Sequence, residues 1–433
     1  MTEHLYYADS FLTDFDAVVT EIHELSRDNG QSLWRVALDR SAFYPTSGGQ
    51  PHDSGQLLAK ARSGAELTAE IVDVEEDEHG EIWHHTAKPL SAGTPVRGRV
   101  DPARRLDHIQ QHSGQHLLSA AFLEISNAPT VSFHLGETVS TIDLATGTMS
   151  EDTLRRVEEL ANRIIADDRP VRVSTISKAQ AEALFQSGEL RKLPPRDGDI
   201  RVIEIVGGET PGGTKPFDLN ACGGTHVRST GQIGGLHLRG IEKVRQGWRV
   251  QFVCGLRAMR SARSDFQNLT EAGRKLSVGL AEIPEAIERL QADGKQAAKQ
   301  LQVQMLELAR YRAAELIRES TIVEGIRLIH RQFSPADAAD PAYIKLLASQ
   351  LTAQGEKTAA VFTWRPGAKE ELGTVILARS RDLAFDCGTF LREILSKSGG
   401  RGGGSKEMAQ GSVSQEYLSS VMDALTAAAL GDP

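Results

Sequence analysis

The sequence has few cysteines, no leader-like start and no long apolar run. Its 433 residues include three cysteines, Cys222, Cys254 and Cys387, and three widely spaced thiols do not form a disulfide framework. A reduced compartment and a metal ligand are both compatible with them. The first residues lack the basic flank and apolar core of a signal peptide, and charges interrupt the apolar stretches well short of the roughly 20 residues that a membrane span needs. We expect a cytoplasmic protein with no membrane partner.

Basic residues are outnumbered by acidic ones, 49 to 58. The net charge of −9 at pH 7 excludes a protein coated with basic residues for indiscriminate nucleic-acid binding. Any contact with nucleic acid must come from local patches. With 40% apolar and 25% charged residues, the composition is that of an ordinary globular protein, and the length allows two to four domains.

Local patterns predict an α+β protein in four parts. Residues 1–100 alternate short β-branched segments with Gly, Asp, Asn and Pro clusters, which predicts a small β-barrel-like subdomain. The pair Asp101-Pro102 opens a helix, and mixed helices and strands follow, so residues 101–255 form a second, α+β domain. Residues 256–320 are expected to form a helical, coiled-coil-like linker. Residues 321–433 read as a C-terminal α/β domain with a glycine-rich loop over 399–404 and a final helix from about 414.

Two short motifs have the residue types and spacing of a metal site. His112 and His116 are four residues apart in a predicted helix, so both side chains project from one face. Cys222 and His226 flank Gly223, Gly224 and Thr225, and the glycines let the backbone curl until both side chains converge. A mixed Cys/His set is what zinc prefers. We therefore predict one zinc ion held by these four residues.

The role of such a zinc stays open at this point. Four protein ligands leave no position for water, and closed sites of this kind usually support the fold. A zinc that only joins two segments of the chain is therefore the alternative to a catalytic one.

Several motifs resemble one known family. His112-Ser113-Gly114-Gln115-His116 and Cys222-Gly223-Gly224-Thr225-His226 are similar to the paired zinc motifs of the editing domain of alanyl-tRNA synthetases and of the AlaX editing proteins. The segment 43–51 resembles the glycine-rich motif that precedes them there, and 399–411 resembles the C-terminal domain shared with DHH phosphoesterase-like proteins. The match is to the long form of AlaX, with Gln115 in a place where the family often has threonine.

The resemblance implies a hydrolase that acts in trans on mischarged alanine tRNA. It would remove serine, and also glycine, from tRNA(Ala) while sparing alanine, because a small pocket in a synthetase rejects a near-isostere poorly. Sparing alanine requires a polar partner for the serine hydroxyl. Our candidate catalytic residues are Thr46 and, as its helper, Gln50. The alternative is that both residues only close a turn.

For tRNA binding, the sequence offers two groups of cations. They are Lys243, Arg245 and Arg249 near the end of the second part, and Arg392, Lys397, Arg401 and Lys406 around the C-terminal glycines. Cations interleaved with glycines suit phosphate contact, although a solvated basic loop is an equal alternative. A homodimer through the linker and the C-terminal domain is also expected.

Two other functions remain to be separated from this one. The chain could edit another mischarged tRNA, such as Ser-tRNA(Thr), since the related domain of threonyl-tRNA synthetases also pairs histidines with a Cys/His segment. It could also be a zinc-stabilised tRNA-binding module without enzymatic activity.

Overall fold

A computed structural model describes residues 1–28, 31–60, 64–194, 198–210, 213–337, 339–367 and 372–430. The chain folds as two units, Met1–Glu271 and Ala272–Pro433. Both units combine helices with sheets, which confirms the α+β class. Within the described ranges, no helix is both long and apolar enough to cross a bilayer.

The N-terminal part of the first unit contains a closed six-stranded barrel, as its alternating segments predict. Its elements are β1 (Glu3–His4), α1 (Leu5–Ala8), β2 (Asp14–Asp28), β3 (Gln31–Leu38), β4 (Arg40–Ser41), β5 (Gly55–Lys60), β6 (Glu66–Glu76), β7 (Ile82–Thr86) and β8 (Pro95–Val100). The barrel order is β2-β3-β7-β6-β5-β8. In β8, Val96 and Val100 point inward while Arg97 and Arg99 face solvent, the period of two expected of a strand with one buried face.

After the barrel, the first unit contains a four-stranded sheet, a three-stranded sheet, a two-stranded pair and a long buried helix. The elements are α2 (Pro102–Ser126), β9 (Thr130–Leu135), β10 (Ser140–Leu144), α3 (Glu151–Ala166), β11 (Val171–Ile176), α4 (Lys178–Gln186), β12 (Ile200–Ile205), β13 (Glu209–Thr210), β14 (Gly213–Thr214), β15 (Asp218–Ala221), β16 (Leu236–Val244) and β17 (Gly247–Cys254). The sheets have the orders β16-β17-β10-β9 and β11-β12-β15, and β13 pairs with β14. Helix α2 lies in the core, where Ile109, Leu117 and Leu118 are fully buried.

Helix α2 begins where the sequence predicts. The Asp101 side chain accepts hydrogen bonds from the backbone N–H groups of Ala103 and Arg104, and Pro102 occupies the first helical position. These are the N-cap and N1 preferences on which the prediction rested. The helix ends at Asn127, whose left-handed φ of 50° closes the last turn.

Two helices follow, α5 (Gly255–Leu276) and α6 (Ile283–Glu319). At 37 residues, α6 is the long helix expected from the Ala-, Gln-, Glu- and Leu-rich composition. Pairing of these helices as a coiled coil, and a homodimer formed through them, stay predictions.

The second unit contains a six-stranded sheet flanked by helices. Its elements after α6 are β18 (Ile322–Val323), β19 (Ile326–Phe333), α7 (Pro341–Gln354), β20 (Thr358–Trp364), β21 (Gly373–Arg379), α8 (Cys387–Lys397), β22 (Arg401–Gly404), β23 (Met408–Val413) and α9 (Leu418–Leu430). The strand order is β18-β19-β20-β21-β23-β22.

The glycine-rich segment 399–404 departs in part from the prediction of a loop, because residues 401–404 form the edge strand β22. A Cβ on Gly402 would lie 2.7 Å from Leu395 Cδ1 and 2.9 Å from the Cα of Gly411. Glycine therefore lets this strand lie close to both α8 and β23. The glycines that suggested a loop permit close packing in a strand instead.

Candidate metal centre

Four side chains that could hold a metal ion meet in the first unit. They are His112, His116, Cys222 and His226, and their ligand atoms all lie within 4.8 Å of one another. The three histidines are buried, whereas Cys222 keeps partial exposure. The structure thus brings together the four predicted ligands, from two segments about 110 residues apart.

Helix α2 positions the histidine pair. His112 and His116 are one turn apart, with ring centroids separated by 5.3 Å. The His226 ring lies 4.7 Å from each of them. The Nε2 atoms of His112 and His226 are both 3.3 Å from Cys222 Sγ. The imidazoles are therefore grouped around the thiol.

The segment Cys222–His226 needs glycine at one position in particular. The N–H of Gly224 donates a hydrogen bond of 3.3 Å to Cys222 Sγ. A Cβ on Gly224 would lie only 2.1 Å from His112 Cε1. Any larger residue would push the imidazole away, so the backbone passes directly against a ligand ring.

Each histidine is oriented by a polar neighbour on the side away from the cysteine. His112 Nδ1 donates to Gln50 Oε1 at 2.7 Å, and His116 Nδ1 lies 3.1 Å from the Asp218 carboxylate. His226 Nδ1 lies 3.3 Å from the Ser113 hydroxyl. Partners of this kind fix the tautomer and the ring orientation of metal-binding histidines. The donor set and its supports therefore fit a bound metal ion.

The charges of the cluster favour a cation. Burial raises the pKa of the Cys222 thiol, but the surrounding imidazoles outweigh it and bring that pKa well below its usual value. Burial lowers the pKa of His226 to about 3. Burial acts the same way on His116, but Cys222 and Asp218 oppose it and raise its pKa to about 9. These directions favour a negative thiolate beside a protonated His116, so a metal ion binding here would compete with the proton of His116.

A buried ion pair between Asp53 and Arg105 connects the segment before β5 to helix α2. Arg105 and Asp53 are both almost fully buried, and Arg105 Nε donates to Asp53 Oδ2 at 3.1 Å. Arg105 also donates to the carbonyl oxygens of Ser10 and Ala42, while Asp53 accepts from the N–H of Tyr44 at 2.7 Å. These contacts fix the segment that carries Gln50 relative to the helix that carries His112.

Two regions of the chain match known domain families, and most of the chain is similar to a group of relatives. Residues 200–249, which contain Cys222 and His226, match the family described as threonyl and alanyl tRNA synthetase second additional domain, and residues 325–430 match the DHHA1 domain. The alanine–tRNA ligase of Pyrococcus furiosus is 29% identical over 95% of this chain. That of Halorubrum lacusprofundi is 33% identical over 72% of this chain. The chain is thus similar to alanine–tRNA ligases over most of its length, in agreement with its AlaX-like motifs.

These matches include most of this chain but less than half of each relative. The chain spans 42% of the Pyrococcus furiosus ligase and 32% of the Halorubrum lacusprofundi ligase in these matches. Among solved structures, the C-Ala domain of Aquifex aeolicus alanyl-tRNA synthetase matches 25% of this chain and 98% of that domain, at 19% identity and a TM-score of 0.21. A score this low does not establish a common fold.

The two residues predicted to contact substrate lie in different environments in this chain. Thr46 is exposed, and its hydroxyl accepts a hydrogen bond of 3.2 Å from the N–H of His52, a contact within the turn. Gln50 is fully buried. Its side-chain oxygen accepts from His112 Nδ1, and its amide nitrogen donates to the Thr225 hydroxyl at 3.0 Å. Its carboxamide is therefore occupied by the metal cluster and its loop.

The cations predicted to contact tRNA fall on both units. Lys243 and Arg245 are exposed near the turn between β16 and β17. Arg249 is paired with Asp143 at 2.7 Å and with Glu242 at 3.5 Å, so its charge is already compensated. In the second unit, four cations are exposed and have no ion-pair partner among the described residues: Arg392, Lys397, Arg401 and Lys406.

Two buried residues at the centre were missed in the sequence. Asp218 supports His116, and Arg201 donates hydrogen bonds to the backbone of the Cys222 segment. Asp218 had a detectable signal, since Asp218 and Asn220 alternate along β15 and the ligand Cys222 follows that strand directly in the same alternation. Arg201 had none, because its role depends on a hairpin pairing that the sequence does not show.

Proposed function

We propose that the first unit is a zinc-dependent hydrolase that deacylates mischarged Ser-tRNA(Ala) and Gly-tRNA(Ala) and spares Ala-tRNA(Ala). The observation that carries the proposal is the cluster of His112, His116, Cys222 and His226, with ligand atoms within 4.8 Å. Part of it lies in the region matched to the synthetase second additional domain, and the relatives reported above are alanine–tRNA ligases.

Zinc is the metal that this donor set favours. One thiolate and three imidazoles form a set of borderline-soft ligands, for which zinc is well suited. Bound there, zinc would supply positive charge that polarises an ester carbonyl, lowers the pKa of a water, or orients the aminoacyl group.

The polar neighbours of the histidines orient the rings so that their Nε2 atoms are available to the metal ion. Gln50 holds the proton of His112 on Nδ1, which leaves Nε2 free to bind the metal. Asp218 does the same for His116. In this proposal Gln50 orients a ligand rather than assisting Thr46, because its carboxamide is buried against His112 and Thr225.

Thr46 remains our candidate for recognising the serine hydroxyl. Its side chain is exposed at the glycine-rich turn, where Gly49 packs against Phe133 and the Phe133 ring lies 5.6 Å from the ring of His112. Its oxygen accepts one bond from His52, and its own O–H can still donate to a substrate. A group that pairs with serine and is left unpaired by alanine supplies the discrimination that editing needs.

We also propose that the second unit contacts tRNA(Ala) through Arg392, Lys397, Arg401 and Lys406. Their charges are not compensated by carboxylates in the described part of the chain. Unpaired cations beside the close-packed glycine strand β22 suit a phosphate backbone.

Deacylation of purified aminoacyl-tRNAs tests the proposal directly. Rapid loss of serine from tRNA(Ala) with alanine retained, abolished by Cys222→Ala, is the expected result. Thr46→Val should weaken serine cleavage and blur the discrimination against alanine, whereas Thr20→Val, on the barrel, serves as the matched control.

The same experiment separates the two competing functions. Ser-tRNA(Thr) belongs in the panel because the matched family description names threonyl as well as alanyl tRNA synthetases. Cleavage of that substrate alone would move the assignment to threonine tRNA. Zinc-loaded protein that cleaves none of the substrates would leave a tRNA-binding module instead.

A further inference from the structure

Arg201 makes a direct contact with the backbone of the segment that carries the cysteine ligand. It lies on β12 and is 7% exposed. Its Nη1 donates to the carbonyl oxygen of Cys222 at 2.7 Å and to that of Gly224 at 3.0 Å. In return, the N–H of Cys222 donates to the carbonyl oxygen of Arg201 at 3.2 Å. The segment is therefore tied to the strand on both sides of Gly223.

The other nitrogens of the Arg201 guanidinium do not hydrogen-bond to a second segment of the described chain. Nε and Nη2 have no hydrogen-bond partner among the described residues. The guanidinium carbon lies 5.3 Å from the centre of the Tyr7 ring. The Tyr7 hydroxyl in turn lies 3.5 Å from where a Cβ on Gly223 would be. Arg201 and Tyr7 thus cover the two-glycine segment together.

We propose that Arg201 is the positioning residue for Cys222. Two consecutive glycines have no side chains to restrict their backbone, so the segment has little conformational preference of its own. A buried cation that binds the carbonyls of Cys222 and Gly224 fixes the segment so that Sγ faces the Nε2 atoms of His112 and His226. In this proposal Arg201 acts through the backbone of the Cys222 segment and is not itself a metal ligand. The inference rests on the proposed metal site.

The test is Co²⁺ substitution in the full chain, because thiolate bound to Co²⁺ gives a charge-transfer absorption band. The variants are Arg201→Met and Arg201→Lys. The control is Arg172→Met, which removes an exposed arginine from the neighbouring strand β11. Arg201→Met should weaken or shift the thiolate band and lower Co²⁺ affinity by about 10- to 100-fold, the range for residues that orient metal ligands.

The lysine variant separates positioning from a general effect on folding. Its ammonium keeps the buried charge and can donate to carbonyls, so we expect affinity between that of wild type and Arg201→Met. Arg172→Met should match wild type. Wild-type band and affinity in Arg201→Met would overturn the inference. If Arg201→Met does not fold, Arg201→Lys decides: affinity several-fold below wild type supports positioning, and unchanged affinity overturns it.

Failure of the proposed enzymatic function gives a different result. Wild-type protein that shows the thiolate band but hydrolyses no aminoacyl-tRNA would remove the proposed activity and leave the role of Arg201 intact. Wild-type protein without a thiolate band would overturn both.

Discussion

Gln50 and His112 are joined by a hydrogen bond of 2.7 Å between Oε1 and Nδ1, although 62 residues separate them in the chain. Gln50 comes from the turn between β4 and β5, and His112 from the middle of α2. The carboxamide accepts the Nδ1 proton, so Nε2 faces Cys222, 3.3 Å away. The barrel part of the first unit thereby determines which nitrogen of His112 is available to a metal.

Replacing Gln50 should weaken metal binding. In Gln50→Leu, His112 loses its acceptor and can adopt either tautomer, so we expect zinc affinity to fall by about 10- to 100-fold. Competition with a chromophoric chelator measures this. Gln56→Leu, which removes a barrel glutamine bonded to exposed Glu70, is the matched control and should bind zinc like wild type. Equal affinity in both variants would show that the Gln50 contact is not needed.

Metal affinity should depend on pH through His116. The pKa of His116 is raised to about 9 without metal, while the pKa of the Cys222 thiol is lowered well below its usual value and that of His226 is lowered to about 3. Below pH 9, binding must displace one proton, so affinity should rise by about tenfold per pH unit and level off above about pH 9. Chelator competition between pH 6 and 10, corrected for the chelator's own protonation, tests this.

Asp218 is one of the groups that raise the pKa of His116, so Asp218→Asn should move the levelling point to lower pH. A levelling point that stays near pH 9 in this variant would contradict the assigned cause.

The two glycines between the ligands should differ sharply in tolerance. Gly224→Ala would place a Cβ 2.1 Å from His112 Cε1, whereas the nearest atom to a Cβ on Gly223 is the Tyr7 hydroxyl at 3.5 Å, an ordinary contact. We expect Gly224→Ala to lose zinc and about 1–3 kcal/mol of stability, as in other overpacked cores. Gly223→Ala should retain both. Zinc content and thermal unfolding measure the difference, and zinc retained at full occupancy in Gly224→Ala would contradict it.

The buried ion pair of Arg105 and Asp53 should contribute strongly to stability. Arg105→Met leaves Asp53 as an unpaired buried charge, which should lower the free energy of unfolding by about 3–5 kcal/mol. Arg97→Met removes an exposed partner of Asp14 and should change it by less than about 1 kcal/mol. Urea denaturation of both variants provides the comparison. A similar, small effect of the two substitutions would show that the Asp53 carboxylate is otherwise compensated.

If the second unit contacts tRNA, removing two of its exposed cations should change the salt dependence of binding. Arg392→Gln combined with Arg401→Gln should weaken tRNA binding and reduce the slope of log K against log salt by about 1.5, for two lost phosphate contacts. Arg155→Gln, an exposed arginine paired with Asp152 and Glu159, should leave the slope unchanged. An unaltered slope in the double variant would place the tRNA contact elsewhere.

Local patterns predicted several features correctly. The start of α2, the barrel strands and the shared face of His112 and His116 all follow from capping preferences and from the periods of strands and helices. Cys222 and His226 were identifiable because their spacing and their intervening glycines are unusual. In each case the information lies within a few residues of the chain.

Other features depend on contacts between distant segments and could not be predicted. Gln50 reaches Thr225 across 175 residues, so its sequence neighbourhood gave no reason to separate its role from that of Thr46. The glycines of 401–404 were misread because glycine permits both flexibility and close packing, and only the positions of Leu395 and Gly411 show which applies.

The double attachment of Gln50, to α2 through His112 and to the cysteine segment through Thr225, has a consequence for dissecting the molecule. Residues 101–255 contain all four metal-binding side chains, yet an excised fragment with these limits would lack the acceptor that selects the His112 tautomer and the carboxylate that neutralises Arg105. The smallest transplantable unit therefore includes the barrel. Recombination between related chains would have to keep the turn and the helix from the same parent.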